Sequence, residues 1–174
     1  MNKIPDAEYC VKLLREYGCS DEVINHCKAV CDVALRIAKR LKNVDIALVT
    51  AGALLHDIGR GRTHGIRHAV EGACIAREIG LPKSLVNVIE RHIGAGIPEK
   101  EAEHLGLPVK NYMPRTLEEK IVCHADNLVE GSKRQPVINE INKALAKGHH
   151  EYAKRLKSLH DELSSYCGID LDYI

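Results

Sequence analysis

The segment TAGALLHDIG, residues 50–59, is almost wholly apolar until it reaches His56 and Asp57. Burying a polar group without a partner costs roughly 2–7 kcal/mol, and burying a charge costs more. A bound cation would offset that cost, because imidazole and carboxylate groups are both metal ligands. The pair therefore predicts a metal site at the end of a buried helix.

The composition of the chain is typical of one globular domain. The chain has 174 residues, of which 45% are hydrophobic, with a net charge of +1 and neither Phe nor Trp. A chain of this length can form a real core, which here must be aliphatic, and its near-zero charge offers no field for a nucleic-acid polymer. We expect a single domain over residues 1–174, with a core at about 20–130 and C-terminal helices at 131–167.

The sequence carries no signal for export or for a membrane. The first residues, MNKIPD, do not form a signal peptide, and no apolar run approaches the roughly 20 residues of a membrane helix. Seven cysteines without a C-x-x-C pair argue against a secreted disulfide framework. We expect a cytoplasmic protein with no membrane partner, in which the cysteines act as small buried hydrophobes.

Apolar residues recur at helical spacing along nearly the whole chain. The pattern predicts helices over residues 5–17, 21–41, 43–57, 67–79, 82–93, 98–105, 117–129, 135–147 and 149–165, and no strand. The helix over 43–57 is apolar on almost all sides, so it should be the central one. The fold class is therefore all-α, a single helical bundle, and the last two amphipathic helices could pair across a homodimer.

Four further candidate ligands lie on apolar helix faces: His26, His68, His92 and Asp126. A single histidine on such a face is usually an ordinary core residue, but several together favour a shared cation. Imidazole and carboxylate without thiolate suit Fe, Mn, Zn, Ni or Co, whereas a closed structural zinc site would favour cysteine. The expected cofactor is a divalent transition metal, one ion or two, that lowers the pKa of a bound water towards 7.

Two histidines are left with open roles by their spacing. His64 competes with His68 as a ligand, and we favour His68 because it begins a helix and can point back over the loop. His124 is two residues before Asp126 and hence on a different helix face, so we expect it beside the site or facing solvent.

Cationic side chains near the ligands are candidates for binding a phosphate group. Arg60 and Arg62 follow the HD pair, and Lys133 follows the last candidate ligand. We expect Arg60, and next Lys133, to neutralise charge on phosphoryl oxygens; solvated surface charges are the alternative. The sequence has no G-x-S-x-G elbow, no P-loop and no G-x-G-x-x-G, which argues against a covalent hydrolase and those nucleotide folds.

In their order, these residues resemble the HD-domain superfamily of metal-dependent phosphohydrolases. The superfamily pattern H…HD…D is matched by His26, the pair at 56–57 and Asp126. The resemblance implies that these four hold a first metal, that His68 and His92 hold a second, and that Asp57 bridges the two. It also implies a phosphodiesterase or phosphomonoesterase in which a metal-activated water attacks phosphorus and Asp57 assists proton movement.

Longer motifs resemble one group within that superfamily more closely. HDIGR (56–60), THGIRH (63–68), RHIGAG (91–96) and EKIVCHADN (119–127) are similar to a small archaeal HD group that includes dihydroneopterin 2′,3′-cyclic phosphate phosphodiesterase. The implied partner is a small-molecule phosphate ester, nucleotide-like or cyclic. Two alternatives stay open, namely a di-iron oxygenase of the same superfamily and a non-catalytic nucleotide-binding HD protein.

Overall fold

The computed structural model describes residues 3–174, which are helical apart from loops and a short hairpin. The α-helices are α1 (Ala7–Glu16), α2 (Asp21–Ala38), α3 (Ile46–Leu55), α4 (His68–Glu78), α5 (Lys83–Glu90), α6 (Glu99–His104), α7 (Leu117–Asn127), α8 (Val137–Ala146) and α9 (His150–Cys167). Two 3-10 turns, Ile58–Gly61 and Leu171–Tyr173, complete the helical structure. The predicted all-α class is confirmed, and each predicted helix occurs, with somewhat shorter ends except for α9, which extends two residues beyond its predicted end.

The central position of α3 follows from its apolar surface. Val49, Ala51 and Leu55 are fully buried, and the helix packs against α1, α2, α5 and α7. Gly52 allows the closest approach, because a Cβ there would lie 2.6 Å from Val88 Cγ1 of α5 and 3.5 Å from Val122 Cγ2 of α7. The helices that carry the other candidate ligands can therefore surround the end of α3.

A hairpin follows α7, where the sequence predicted only helix and loop. Strands β1 (Val129–Glu130) and β2 (Lys133–Arg134) pair antiparallel, and Gly131 makes the turn with a φ of +59°. The prediction of no strand, with a helix to residue 129, was wrong here because two-residue strands are too short to show an alternating pattern.

The cysteines behave as the sequence predicts. All seven are free, and all except Cys74 are buried. Burial raises the pKa of the Cys19 and Cys31 thiols to about 11, so these groups are protonated and unreactive at neutral pH. Within residues 3–174, no helix combines the length and the apolarity that spanning a membrane requires.

Candidate metal centre

Five elements bring the six candidate ligands together around the end of α3. His26 lies in the middle of α2, and the pair at 56–57 directly follows the last residue of α3. His68 is the first residue of α4, His92 follows the end of α5, and Asp126 is near the end of α7. We call these six side chains the metal centre: His26, His56, Asp57, His68, His92 and Asp126.

The two carboxylate oxygens of Asp57 face two different pairs of imidazoles. Oδ2 lies 3.6 Å from His56 Nε2 and 3.9 Å from His26 Nε2. Oδ1 lies 3.1 Å from His68 Nε2 and 3.5 Å from His92 Nε2. One carboxylate therefore lies between two groups of potential ligands.

Asp126 belongs to the first of these groups. Its Oδ1 lies 3.0 Å from His26 Nε2 and 3.6 Å from His56 Nε2. The ligand atoms of His26, His56 and Asp57 all lie within 4.8 Å of one another, as do those of Asp57, His68 and His92. Each group is compact enough for its atoms to bind one ion.

The four imidazoles are oriented by backbone carbonyls. Each Nδ1 lies 2.7–2.9 Å from a carbonyl oxygen, which can only accept, so Nδ1 donates its N–H, and in the neutral imidazole the lone pair is then on Nε2. This is the tautomer and orientation that a metal-ligating histidine needs. The acceptors are Gly131 for His26, Ala53 for His56, Gly65 for His68 and Ile89 for His92.

Burial and charge in the centre favour a cation. Burial opposes a charge on His56, but the carboxylates of Asp57 and Asp126 overcome this and hold the pKa of His56 well above its usual value. Burial also opposes the charge on Asp57, yet His56, His68 and His92 hold the pKa of that carboxyl well below its usual range. The result is one buried carboxylate, Asp57, and one partly buried carboxylate, Asp126, which together attract positive charge.

The unpartnered atoms of the centre fit a metal ion. Within residues 3–174, the buried atoms His56 Nε2 and Asp57 Oδ1 have no hydrogen-bond partner. Such orphaned atoms are rare in folded proteins and require an explanation. A divalent ion bound by imidazole and carboxylate would satisfy both, so the residues present fit the cofactor that the sequence predicts.

The two predicted phosphate-binding cations occupy different positions. Arg60 is partly exposed, and its Nε donates to Asp57 Oδ2 at 2.6 Å, which places it at the edge of the centre. Lys133 is exposed on β2, two residues after Gly131, whose carbonyl orients His26. Lys133 has no ion pair within residues 3–174, so its charge is free for a ligand.

The structure places the two histidines whose roles the sequence left open, His64 and His124, outside the metal centre. His68 faces Asp57, whereas His64 contributes only its backbone carbonyl, which accepts from Arg60 Nη1 at 3.4 Å. His124 is fully buried, and its Nε2 lies 3.0 Å from His160 Nδ1 of α9. Of the two positions expected for His124, the one facing solvent was wrong, because helix periodicity gives the face of a residue but not that α9 covers it.

A buried ion pair that the sequence reasoning missed ties two ligand-bearing helices together. Arg91 Nη1 lies 2.9 Å from both oxygens of Glu119, and both side chains are largely buried. Arg91 precedes His92 at the end of α5, and Glu119 lies in the first turn of α7, which carries Asp126. The sequence indicated Glu119 only as a capping residue; its place in a buried face of α7 was the available signal.

Comparisons with known proteins identify the family. A family model described as the HD domain matches residues 23–131. The chain is 51% identical over 171 residues to a tRNA (cytidine(56)-2′-O)-methyltransferase of Thermoplasma volcanium. The matched residues make up 98% of this chain and 50% of that protein. It is also 52% identical over 154 residues to an uncharacterized protein of Methanocaldococcus jannaschii. That match covers 84% of this chain and 90% of the relative.

The chain thus spans about half the length of the methyltransferase that it matches. Neither relative is named as a dihydroneopterin cyclic phosphate phosphodiesterase. The fold is also that of the HD domain of phosphodiesterase PgpH from L. monocytogenes, with a TM-score of 0.59 and 17% identity over 91% of this chain and 97% of that one. The family match includes all six residues of the metal centre, and the chain belongs to the HD domain family.

Proposed function

We propose that the chain is a metal-dependent phosphohydrolase that cleaves a small phosphodiester or phosphomonoester. The observation that carries the proposal is the carboxylate of Asp57, whose two oxygens face two separate pairs of imidazole Nε2 atoms. This arrangement supports one divalent ion in each group, with Asp57 between them. Binding sites for two neighbouring ions are typical of enzymes that displace groups at phosphorus.

Bound divalent ions supply a water of lowered pKa and neutralise phosphoryl oxygens. The imidazoles keep their lone pairs directed inward because their Nδ1 protons are held by the backbone. Asp57 stays ionised, since the surrounding imidazoles lower its pKa, and it can accept a hydrogen bond from water. Its carboxylate would therefore orient the nucleophile, and a water that it holds would assist removal of a proton.

Arg60 is the residue that we place next to the phosphate. Its Nε is held by Asp57 Oδ2, while Nη2 donates no hydrogen bond within residues 3–174. The guanidinium is thus oriented by one edge and open at the other, which is a suitable geometry for an anionic oxygen. Lys133, exposed beside the hairpin turn, is the second cation that we propose for the phosphate.

The resemblance of the HDIGR, THGIRH, RHIGAG and EKIVCHADN motifs to a group that includes a cyclic phosphate phosphodiesterase is what supports the substrate class that we propose. We propose a nucleotide-like or cyclic phosphate small molecule, acted on without a nucleic-acid polymer as partner. The methyltransferase name belongs to a protein of which this chain matches only half. Because imidazoles and carboxylates around a cation suit hydrolysis, we do not extend methyl transfer to this chain.

The test is hydrolysis of bis(p-nitrophenyl) phosphate and of 2′,3′-cyclic nucleotides by purified protein loaded with Mn²⁺, Fe²⁺ or Ni²⁺. We expect turnover with at least one metal and its loss in Asp57→Ala. His104→Gln is the matched control, because His104 is exposed and bonded only to its own helix turn, at Lys100. Absence of turnover with every metal, or equal turnover in Asp57→Ala, would contradict the proposal.

The same six residues also suit a di-iron oxygenase, which is the second candidate function. Such an enzyme would consume oxygen when loaded with iron, and a phosphohydrolase would not. Oxygen uptake by the iron-loaded protein therefore separates the two activities. The third possibility, a non-catalytic binding protein, requires that elemental analysis find no metal in the centre.

A further inference from the structure

His92 lies outside the regular helices, and α5 alone does not fix its position. The helix ends at Glu90, and the carbonyl of Ile89 orients the imidazole of His92 from that side. Two residues further on, Gly94 has a φ of +59°, so the chain turns away from the helix there. The place of this imidazole in the metal centre therefore depends on what holds the segment over residues 91–94.

One face of α7 holds this segment. Glu119, Cys123 and Asn127 are four residues apart, so they share a face of the helix, and all three are buried. Cys123 Sγ and Asn127 Nδ2 both donate to the carbonyl oxygen of Gly94, at 3.0 and 2.7 Å. We call these three side chains the α7 stripe; they are the first, fifth and ninth residues of the EKIVCHADN motif.

The α7 stripe holds the chain on both sides of His92. On one side Arg91 Nη1 lies 2.9 Å from both oxygens of Glu119. On the other side Gly94 is bonded to the end of the stripe, and the ring of Tyr152 packs on the opposite side of this glycine. A Cβ at Gly94 would lie 2.4–2.7 Å from the phenol atoms, so only glycine leaves room for the ring. The segment is thus enclosed between α7 and α9.

Asn127 is connected to both groups of the metal centre, but through different atoms. It follows Asp126 at the end of α7, and its backbone carbonyl accepts from Gln135 Nε2 at 3.1 Å. Gln135 directly follows the hairpin in which the carbonyl of Gly131 orients His26. These links use the backbone of Asn127, whereas only its side-chain amide reaches the segment of the second group. A change of the side chain therefore acts on one group alone.

Packing does not require an amide at this position. Apolar contacts are non-directional, so an apolar face of α7 would allow the segment to shift along the helix. A hydrogen bond depends on both distance and angle, and two donors on the carbonyl of Gly94 restrict its position from two sides. Burying the amide of Asn127 costs free energy that its bond only compensates. What the amide adds is a fixed position for the chain beside His92.

We propose that Asn127 is a positioning residue, which acts through the carbonyl of Gly94 to hold His92 where a second ion requires it. In the present geometry His92 Nε2 lies 3.5 Å from Asp57 Oδ1. The inference rests on the two-ion centre of the proposed function and assigns one ion a dependence on a residue that does not touch it. The ion beside His26 has no such dependence.

Binding of Mn²⁺ to the chelator-treated protein, followed by electron paramagnetic resonance, tests the proposal without any substrate. Asn127→Leu keeps the branched shape of the side chain and removes its donor. We expect the Kd of one ion to rise at least about tenfold, the lower end for the loss of a group that supports a metal ligand, and the Kd of the other to stay within about twofold. The signal of two magnetically coupled Mn²⁺ ions should decrease accordingly.

A double variant distinguishes positioning from a general loss of structure. In His92→Gln the second group lacks the residue that Asn127 positions, so adding Asn127→Leu should not change the affinity of the remaining ion any further. Asn139→Leu is the matched control, because this exposed amide reaches only Gln135 Oε1, at 3.5 Å, in the same network. It should leave both ions bound as in the native protein.

Cys123→Ala keeps the test independent of how Asn127→Leu folds. It removes the other donor to Gly94, and it should weaken the same ion by a smaller factor because a thiol is a weak donor. Equal weakening of both ions by these variants, no weakening of either, or a further effect in the His92→Gln background would overturn the proposal. Two bound ions without hydrolysis of any phosphate ester would instead overturn the proposed function and leave the role of Asn127 intact.

Discussion

Two clusters of histidine lie on different faces of α7, and they use their ring nitrogens in different ways. In the metal centre each imidazole donates Nδ1–H to a backbone carbonyl, so that every Nε2 faces a carboxylate. In the second cluster His124 Nε2 pairs with His160 Nδ1, and His160 Nε2 pairs with Asp170 Oδ1, both at 3.0 Å. We call the second group, His124, His160, Asp170 and Asp172, the tail cluster.

The comparison shows that ligand types alone do not make a metal site. His160, Asp170 and Asp172 are close enough to hold an ion, yet one carboxylate oxygen of each aspartate already accepts a backbone N–H. Asp170 Oδ1 accepts from the backbone N–H of Asp172, and Asp172 Oδ1 accepts from Val137 N–H. In the metal centre the backbone carbonyls instead accept hydrogen bonds from the imidazole Nδ1–H groups. The Nε2 atoms are therefore the ones directed towards a cation.

The largest effect is expected for Asp57→Asn, because this residue faces both groups of the metal centre. An amide offers one oxygen and no charge, so neither ion would be held as tightly. We expect loss of bound metal and a fall in phosphodiesterase activity of more than about 100-fold, since even mutating a partner of a metal ligand costs 10–100-fold. Elemental analysis measures the loss of metal, and turnover of bis(p-nitrophenyl) phosphate measures the loss of activity. Full metal content in the variant would contradict the prediction.

A smaller effect should separate the two groups of the centre. His92→Gln removes an imidazole whose Nε2 lies 3.5 Å from Asp57 Oδ1, while His26, His56 and Asp126 keep their own side chains. We expect metal content to fall from two ions per chain to about one. His104→Gln should leave it at two. If His92→Gln empties both groups or neither, the centre does not consist of two separable sites.

The tail cluster should respond to mutation through stability rather than through metal. His160→Ala leaves the fully buried His124 without its partner, and an unsatisfied buried group costs about 1–3 kcal/mol. Urea denaturation of the metal-free protein should show that decrease in the free energy of unfolding, with metal content unchanged in the loaded protein. Loss of metal without loss of stability would show that the tail cluster is the cation site.

The smallest effect is expected for Asp170→Asn. Its side chain is 55% exposed, and pairs at exposed positions contribute only about 0.2–1 kcal/mol. Thermal unfolding should change little, and metal content should not change at all. A large decrease in bound metal in this variant would remove the distinction between the two clusters.

The sequence predicted which side chains meet in the metal centre because several of them interrupt an apolar helix face. His56 and Asp57 follow a helix that is apolar on all sides, and Asp126 lies between Val122 and Val129. Periodicity also predicted the helices, although it made most of them a few residues too long and α9 slightly too short. Local sequence patterns were therefore sufficient to predict the position of each of these residues on its helix.

The features that sequence reasoning missed depend on contacts between distant parts of the chain. The carbonyl of Gly131 orients His26 across 105 positions, and Tyr152 packs on Gly94 from a helix that begins 56 residues later. No local pattern records which carbonyl faces which imidazole, or which helix covers His124. These choices are made by tertiary packing, and they decide which histidines can bind a metal.

The central claim is that divalent ions bind between the two oxygens of Asp57 and the imidazoles that face them. Anomalous diffraction at the manganese edge from crystals soaked in Mn²⁺ tests it directly. We expect two peaks, one beside His26, His56 and Asp126 and one beside His68 and His92, with Asp57 in contact with both. No peak at these residues, or a peak only at His160, Asp170 and Asp172, would contradict the account.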